Sequence, residues 1–167
     1  MIFLQLSVTA VALTTDNTAI YSGSKDNSVI AWDVETGSKQ ILLPAWNRHS
    51  APEGKHCNDG EVLAVAVSSD GKYVVSGGRD NEIKVFDIRN KKGLVQSMKG
   101  HRDAVTSLCF RKDSLTLYSG SYDRCVKHWE IGDLAYLETL FGHQVSSRSR
   151  IRIRIIFYML GFVKVDF

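Results

Sequence analysis

The chain has 167 residues, of which 44% are hydrophobic and 23% are charged, and its formal net charge is +3. Residues 144–167 hold five Lys or Arg and one acidic residue, so the rest of the chain has 16 basic against 17 acidic residues. This balance excludes a generally basic nucleic-acid-binding domain. Cys57, Cys109 and Cys125 form no C-x-x-C pair, which argues against a disulfide framework and favours a reducing compartment.

Three stretches of the chain align on one another without a gap and form an internal repeat. Each stretch starts at an apolar valine, reaches an aspartate 18 residues later, and carries an aromatic-acidic pair beyond it. The valines are Val8, Val62 and Val105, the aspartates are Asp26, Asp80 and Asp123, and the pairs are Trp32-Asp33, Phe86-Asp87 and Trp129-Glu130. The starts lie 54 and 43 residues apart, and the second spacing matches the roughly 40–45 residues of one propeller blade. The sequence therefore predicts propeller blades.

Each copy predicts four strands in the same order, because apolar and polar residues alternate with a period of two. A polar turn follows the first strand, the second strand ends in a Ser-Gly pair, and the aspartate begins the turn into the third. The first strands are predicted at 8–13, 62–67 and 105–110, and the Ser-Gly pairs are at 22–23, 76–77 and 119–120. The third strands are predicted at 29–32, 83–86 and 126–129, and the outer strands at 41–43, 94–98 and 136–140.

The third repeat carries the most complete set of signature residues. Its Gly100-His101, Ser119-Gly120, Asp123 and Trp129-Glu130 resemble the signature of WD40 propeller proteins, and the resemblance covers about residues 6–143. It implies an all-β fold, a partial WD40 β-propeller with three four-stranded antiparallel blades and the beginning of a fourth, not a closed ring. Blades are expected at about 6–43, 61–98 and 104–140, within a propeller portion of 1–143. The insertion at 38–60 is expected to be a contact surface or a flexible linker.

In that family a His, a Ser, an Asp and a Trp form a buried hydrogen-bond chain. The corresponding residues are His101, Ser119, Asp123 and Trp129 in the third repeat, Ser22, Asp26 and Trp32 in the first, and Ser76 and Asp80 in the second. Leu4 and Asn58 stand at the positions of the His, and Phe86 replaces the indole donor. Because a satisfied chain rigidifies its turn, we expect the second blade to be the least rigid.

No residue pattern of the sequence points to catalysis. There is no nucleophile elbow and no phosphate-binding glycine loop, and each prominent Ser, His or Asp already belongs to the repeat signature. His49, His56 and Cys57 match no zinc-ligand spacing, so neither a metal nor a cofactor is expected. The chain is therefore predicted to bind partners and not to be an enzyme.

The residues beside the turn aspartates are the candidate partner-binding positions, because equivalent positions of successive blades lie on one rim of a propeller. They are Lys25, Arg79, Tyr122 and Arg124. Cations and an aromatic ring suit RNA through phosphate contacts and base stacking, and they equally suit an acidic peptide. They also fit ordinary charged loop tips, and the sequence leaves these interpretations open.

After Gln144 the repeat signature stops, and 144–167 form an atypical basic and apolar tail. Its apolar run at 155–163 is shorter than the roughly 18 residues needed to cross a bilayer. Three interpretations stay open: a product of truncation or of an altered gene model, a strand or helix on the open blade edge, or a basic interaction segment. The last would use Arg148, Arg150, Arg152 and Arg154. Because an incomplete ring leaves blade faces uncovered, we expect the isolated chain to be marginally stable, oligomeric or prone to aggregation.

Whole blades carry a narrower resemblance. SVTAVALTTDNTAIYSGSKDNSVIAWDVETG, LAVAVSSDGKYVVSGGRDNEIKVFDIR and GHRDAVTSLCFRKDSLTLYSGSYDRCVKHWEI resemble the first half of the propeller in WD-repeat proteins associated with the U3 small nucleolar RNA. The resemblance implies a scaffold of the nucleus and nucleolus that binds U3 snoRNA and snoRNP proteins and supports rRNA processing for the small ribosomal subunit. No membrane or small-molecule partner is expected.

The alternative is a substrate receptor or adaptor of a cullin-type ubiquitin ligase. Asp87 and Arg89 lie in an aromatic-Asp-x-Arg ending similar to the one by which some WD proteins dock on such ligases.

Overall fold

The computed structural model describes residues 6–43, 60–89 and 93–141 of the chain. Every regular element within these residues is a β-strand. In chain order the strands are β1 (Val8–Leu13), β2 (Ala19–Ser24), β3 (Val29–Asp33), β4 (Lys39–Leu43), β5 (Val62–Val67), β6 (Tyr73–Gly78), β7 (Glu82–Asp87), β8 (Gly93–Lys99), β9 (Val105–Phe110), β10 (Thr116–Ser121), β11 (Cys125–Glu130) and β12 (Ala135–Phe141). None of the described residues lies in a helix long and apolar enough to span a membrane.

The strands form three separate four-stranded sheets, which we call blades 1, 2 and 3. Their orders are β1-β2-β3-β4, β5-β6-β7-β8 and β9-β10-β11-β12, and all neighbours are antiparallel. Each chain segment therefore folds back on its predecessor as a simple meander. The predicted all-β class, with antiparallel four-stranded blades that do not close a ring within the described residues, is confirmed.

The second strand of every blade runs one residue beyond the Ser-Gly pair that was predicted to end it. The additional residue pairs with the first valine of the blade, across a β-bulge in the first strand. In blade 1 this bulge lies between Val8 and Ala10, and it leaves Val8 paired with Ser24. The other two blades repeat this irregularity at the equivalent place. The bulge places an extra residue in the first strand and increases the local twist, while the pairing continues as far as the first valine of the blade.

The blades stack face to face through apolar layers. Side chains alternate between the two faces of blade 2, so Val74 and Phe86 pack with blade 1, whereas Val75 and Val85 pack with blade 3. All four side chains are fully buried. Complete burial of an apolar side chain of this size stabilises a fold by roughly 1.5–3 kcal/mol. The two clusters, one at each interface, therefore form the core that holds neighbouring blades together.

The glycine of the Ser-Gly pair lies where neighbouring blades approach closely. A β-carbon on Gly23 would lie 2.5 Å from Cγ1 of Val62, and one on Gly77 would lie 2.7 Å from Cγ1 of Val105. Interiors are packed too densely to absorb such overlap without movement of the blade. The first valine of a repeat thus explains the glycine in the repeat before it.

The face of blade 1 that points away from blade 2 is apolar and exposed. Val11 is 63% exposed and Leu13 is 49% exposed. In blade 2, Val65 occupies the position equivalent to Val11 and is buried against blade 1. The expectation that uncovered faces make the isolated chain marginally stable, oligomeric or prone to aggregation stays a prediction.

Candidate functional site: the blade turns

Blade 3 brings its four signature residues into one buried hydrogen-bond chain. The indole Nε1 of Trp129 donates to Oγ of Ser119 over 2.7 Å, and that hydroxyl lies 2.7 Å from Nε2 of His101. On the other side of the ring, Nδ1 lies 2.7 Å from Oδ2 of Asp123. Because the indole can only donate and the carboxylate can only accept, Nδ1 carries the proton and Nε2 accepts from the serine hydroxyl.

The environment of this chain keeps the imidazole neutral and the carboxylate charged. Burial lowers the pKa of His101 and outweighs the opposing hydrogen bond and charge of Asp123. Burial also raises the pKa of Asp123, but hydrogen bonds from the Arg102 N–H, the His101 ring and the Cys125 N–H outweigh it and leave that pKa below its usual value. A single negative charge is therefore held by directed donors inside the turn.

Ser119, His101 and Asp123 are connected in the same order as the residues of a Ser-His-Asp hydrolase. The Ser119 side chain is fully buried, however, and its oxygen already accepts the indole N–H of Trp129. A substrate carbonyl has no access to this oxygen. The arrangement therefore suits a brace between strands and the turn, and it lacks the exposed nucleophile that acyl transfer requires.

Blade 1 forms the serine and tryptophan part of the chain. The indole Nε1 of Trp32 donates to Oγ of Ser22 over 2.8 Å, and Oδ1 of Asp26 accepts the N–H of Ser28 over 2.9 Å. Leu4, at the position of the missing imidazole, lies outside the described residues. The aspartate here shapes its turn through its own backbone neighbour, as Asp side chains commonly do.

Blade 2 replaces the missing imidazole with a residue that the sequence prediction did not include. The side-chain ammonium of Lys84 pairs with Oδ2 of Asp80, and the two side chains are only 1% and 8% exposed. Lys84 lies opposite Ser76 in the β6–β7 pairing and so shares its face of the sheet. The sequence shows that Lys84 follows Asp80 by four residues and lies on the same face of the strand as Phe86, but it does not show that this face is buried.

The rest of the blade 2 chain is incomplete among the described residues. Phe86 fills the place of the tryptophan and is fully buried, but it has no N–H to donate. The hydroxyl of Ser76 is correspondingly buried without a hydrogen-bond partner in the described part of the chain. Our expectation that blade 2 is the least rigid stays a prediction, and the Lys84–Asp80 pair acts against it.

The predicted partner-binding residues share one rim, which we call the turn rim: Lys25, Arg79, Tyr122 and Arg124. The N–H groups of Lys25, Arg79 and Tyr122 donate to the carbonyls of Ser7, Glu61 and Ala104, each over 3.1 Å. This repeated bond shows that the three positions are equivalent. All four side chains are exposed. Arg79 also forms a surface ion pair with Glu61, in which Nε lies 3.1 Å from Oε2; such exposed pairs are weak.

Asp87 and Arg89 lie at the opposite end of blade 2, because β7 starts at the turn rim and ends at Asp87. Asp87 is buried, whereas Arg89 is exposed and donates from Nη2 to the backbone carbonyl of Asp70. The adaptor-docking role of this pair stays a prediction.

The remaining sequence predictions fall where the structure gives no description. His49, His56, Cys57, the central part of the insertion and the tail lie outside the described residues. Within the described ranges, no group of three His, Cys, Asp or Glu side chains is arranged to hold a metal ion.

Comparison with known proteins agrees with this architecture. The family model described as "WD domain, G-beta repeat" matches residues 5–33, 53–87 and 92–130. A U3 snoRNP-associated protein-like chain of Arabidopsis thaliana is 38% identical over 148 residues, which cover 84% of this chain and 30% of that relative. U3 small nucleolar RNA-interacting protein 2 of Homo sapiens is 44% identical over 116 residues, which cover 69% of this chain and 24% of that relative.

Solved structures extend the comparison to the backbone. The structure titled "Structure of U3-55K" superposes with a TM-score of 0.75 and 41% identity, over 84% of this chain and 41% of that one. The present chain thus spans about a quarter to a third of the length of these two curated relatives. A family model that matches three consecutive repeats, together with blades that superpose on a solved propeller, shows that the chain belongs to the WD40-repeat family.

Proposed function

We propose that this chain serves as a non-catalytic WD-repeat scaffold of the U3 small nucleolar ribonucleoprotein and supports processing of the ribosomal RNA precursor in the nucleolus. The observation that carries the proposal is the similarity of whole consecutive blades to relatives named for U3 association. The likeness to the Arabidopsis relative covers 84% of this chain, so it is not confined to the signature of one repeat.

The blade turns support a binding role. In blade 3 the serine, histidine and aspartate brace one another in the interior, and the exposed atoms of the turns belong to side chains that can contact a partner. Rigid turns reduce the conformational entropy that is lost on binding, so a braced rim favours affinity. Scaffolding by rigid docking is the function that this geometry can perform.

The turn rim is the surface that we assign to partner contact. Lys25, Arg79 and Arg124 place cations on a propeller portion whose overall charge is close to neutral. A local cationic rim can contact phosphates without making the whole protein basic, and phosphate contacts give affinity that falls as salt rises. Protein components of the ribonucleoprotein can use the same exposed rim.

The test is recovery of RNA with the tagged 167-residue chain from nuclear extract, followed by sequencing. U3 RNA should be enriched over other small nucleolar RNAs, and enrichment should decline with added salt. The variant Lys25→Ala/Arg79→Ala should reduce recovery. Arg111→Ala/Lys112→Ala is its matched control, because it removes the same charge from an exposed turn at the opposite end of a blade.

Two outcomes would count against the proposal. U3 RNA at the level of unrelated small nucleolar RNAs would contradict association with the U3 particle. Recovery of a ubiquitin-ligase adaptor without RNA would instead support the adaptor role of Asp87 and Arg89.

A further inference from the structure

One corner of blade 3 gathers three exposed side chains, one of which is distant in sequence from the other two. Arg102 precedes β9, whereas Tyr122 and Arg124 lie in the turn between β10 and β11. The backbones are tied together: the N–H of Arg102 donates to Oδ2 of Asp123 over 3.0 Å, and the N–H of Tyr122 donates to the carbonyl of Ala104 over 3.1 Å. We call Arg102, Tyr122 and Arg124 the blade 3 corner.

The corner stands on the most complete hydrogen-bond chain among the described blades. The carboxylate that receives the Arg102 N–H is the one that accepts from the His101 ring, and both lie in the interior. The exposed side chains therefore extend from a backbone that these buried hydrogen bonds hold in place. A fixed backbone pre-positions them for a ligand and lowers the entropic cost of binding.

Arg124 adopts a backbone conformation that is unfavourable for an arginine. Its φ is +69°, and the residues at the equivalent positions of blades 1 and 2 are Asn27 and Asn81, with φ of +73° and +65°. Asn tolerates this left-handed region far better than a long side chain such as Arg. Residues held in such conformations cluster at functional sites. An arginine here is thus a costly choice for the turn itself.

The guanidinium groups of the corner are available to a ligand. Within the described residues, the side chains of Arg102 and Arg124 form no ion pair, whereas Arg79 of blade 2 is paired with Glu61. Tyr122 is 50% exposed, so a large part of its ring faces solvent. Two opposing charges lie at this corner: the buried Asp123, and the exposed Asp103, whose Oδ1 accepts the N–H of Ala104 over 2.6 Å.

We infer that the blade 3 corner binds one unpaired nucleotide of RNA, with the base stacked on Tyr122 and the flanking phosphates contacted by Arg102 and Arg124. The inference rests on the proposed function for the source of the RNA. Exposed aromatic rings together with nearby cations are a common means by which proteins hold single strands. An acidic peptide would use the cations but would leave the ring without a matching face. A duplex would hide its base faces, so the ligand is single-stranded.

The test is the affinity of the full 167-residue chain for a labelled single-stranded RNA of ten mixed nucleotides, measured by fluorescence anisotropy. Tyr122→Ala should weaken binding roughly 5- to 150-fold, which is the range for loss of one stacked base. Tyr122→Phe keeps the ring and should bind like the original chain. The variant Arg102→Ala/Arg124→Asn should reduce the slope of log affinity against log salt by about 1.4, the value for two phosphates of a single strand.

Folding failure is controlled within this set. Arg124→Asn installs the residue type that blades 1 and 2 use at this φ, so it should not destabilise the turn. Equal affinity of the Tyr122→Ala and original chains would overturn the inference. So would a preference for duplex RNA of the same length, undetectable binding by the original chain, or full displacement by a polyglutamate peptide.

The outcomes separate this inference from the proposed function. Recovery of U3 RNA from extract, together with unchanged RNA affinity of the corner variants, would overturn only the inference that the blade 3 corner binds a nucleotide. Binding of the single strand that depends on Tyr122, without enrichment of U3 RNA, would overturn only the proposed function.

Discussion

Replacing Lys84 with methionine should destabilise blade 2 more than the same replacement of a solvent-facing lysine in a strand. The substitution keeps an unbranched side chain of similar length but removes the ammonium that pairs with Asp80. Both side chains are more than nine-tenths buried, so the carboxylate would be left without its countercharge inside the blade. Breaking one partner of a buried ion pair costs about 3–5 kcal/mol. That is a large share of the roughly 5–15 kcal/mol that stabilises a typical domain.

Two further variants identify the cause of the loss. Lys127 is the blade 3 residue equivalent to Lys84, but there Asp123 is already bound by His101, and the Lys127 ammonium donates to Oγ1 of Thr139 over 2.6 Å. Lys127→Met should therefore cost less than Lys84→Met, about 1.5–3 kcal/mol, as for one hydrogen bond from a charged group. The double variant Asp80→Asn/Lys84→Met removes both charges, so its cost should fall below that of Lys84→Met alone.

The assays are urea unfolding followed by tryptophan fluorescence, and hydrogen exchange of the peptides that cover 76–84 and 119–127. Lys84→Met should accelerate exchange in the first peptide and leave the second unchanged. The cycle of Asp80→Asn and Lys84→Met should give a coupling energy of about 2 kcal/mol or more. A coupling below about 0.5 kcal/mol, or equal costs for Lys84→Met and Lys127→Met, would refute the assignment of Lys84 as the replacement for the imidazole.

Three further predictions concern other parts of the fold. Burial lowers the pKa of His101, so the imidazole binds a proton more readily in the unfolded chain than in the folded one. The contribution of His101 to the free energy of unfolding should therefore be complete above about pH 6.5 and should decrease as the pH falls below that value. His101→Gln should flatten that decline in urea unfolding measured from about pH 5 to 7.5, and an unchanged profile would contradict the assignment. Trp129→Phe should cost about 1–3 kcal/mol in the same assay, because Ser119 loses its indole donor; a cost near zero would show that this bond contributes nothing. Arg89→Ala should leave the recovery of U3 RNA from extract unchanged. A loss of recovery would place the RNA contact at the end of blade 2 that lies opposite to the turn rim.

The strands were predictable because the same alternating residues of each repeat favour an extended strand and give that strand an apolar face to bury. The first strand of each blade, as in Val8–Leu13, begins and ends where the alternation predicts. The ends of the second strands were not predictable, because the last residue of each pairs with the first valine of the blade across a bulge. A bulge is defined by the pairing of two strands, so the sequence of one strand alone does not show it.

The hydrogen-bond chain of blade 3 was predictable for a similar reason. Its serine, aspartate and tryptophan lie on adjacent strands and a short turn, so their sequence separation fixes their positions. The role of Lys84 was not, because lysine in a strand usually marks a solvent-facing position. Only the packing of blade 1 on Phe86 and Val74 shows that this face of blade 2 is closed to water.

By itself, the sequence determined the repeat, the order of the strands and the serines, aspartates and tryptophans of the blade turns, because these follow from spacing along one chain. The tertiary structure decided which faces are buried, which glycines the valines of the next blade require, and that a lysine completes the pair with Asp80. It also placed Arg102 beside Tyr122 and Arg124, which lie 20 and 22 residues further along the chain. Such contacts depend on how separate sheets and loops pack, and spacing within one repeat carries no information about that packing.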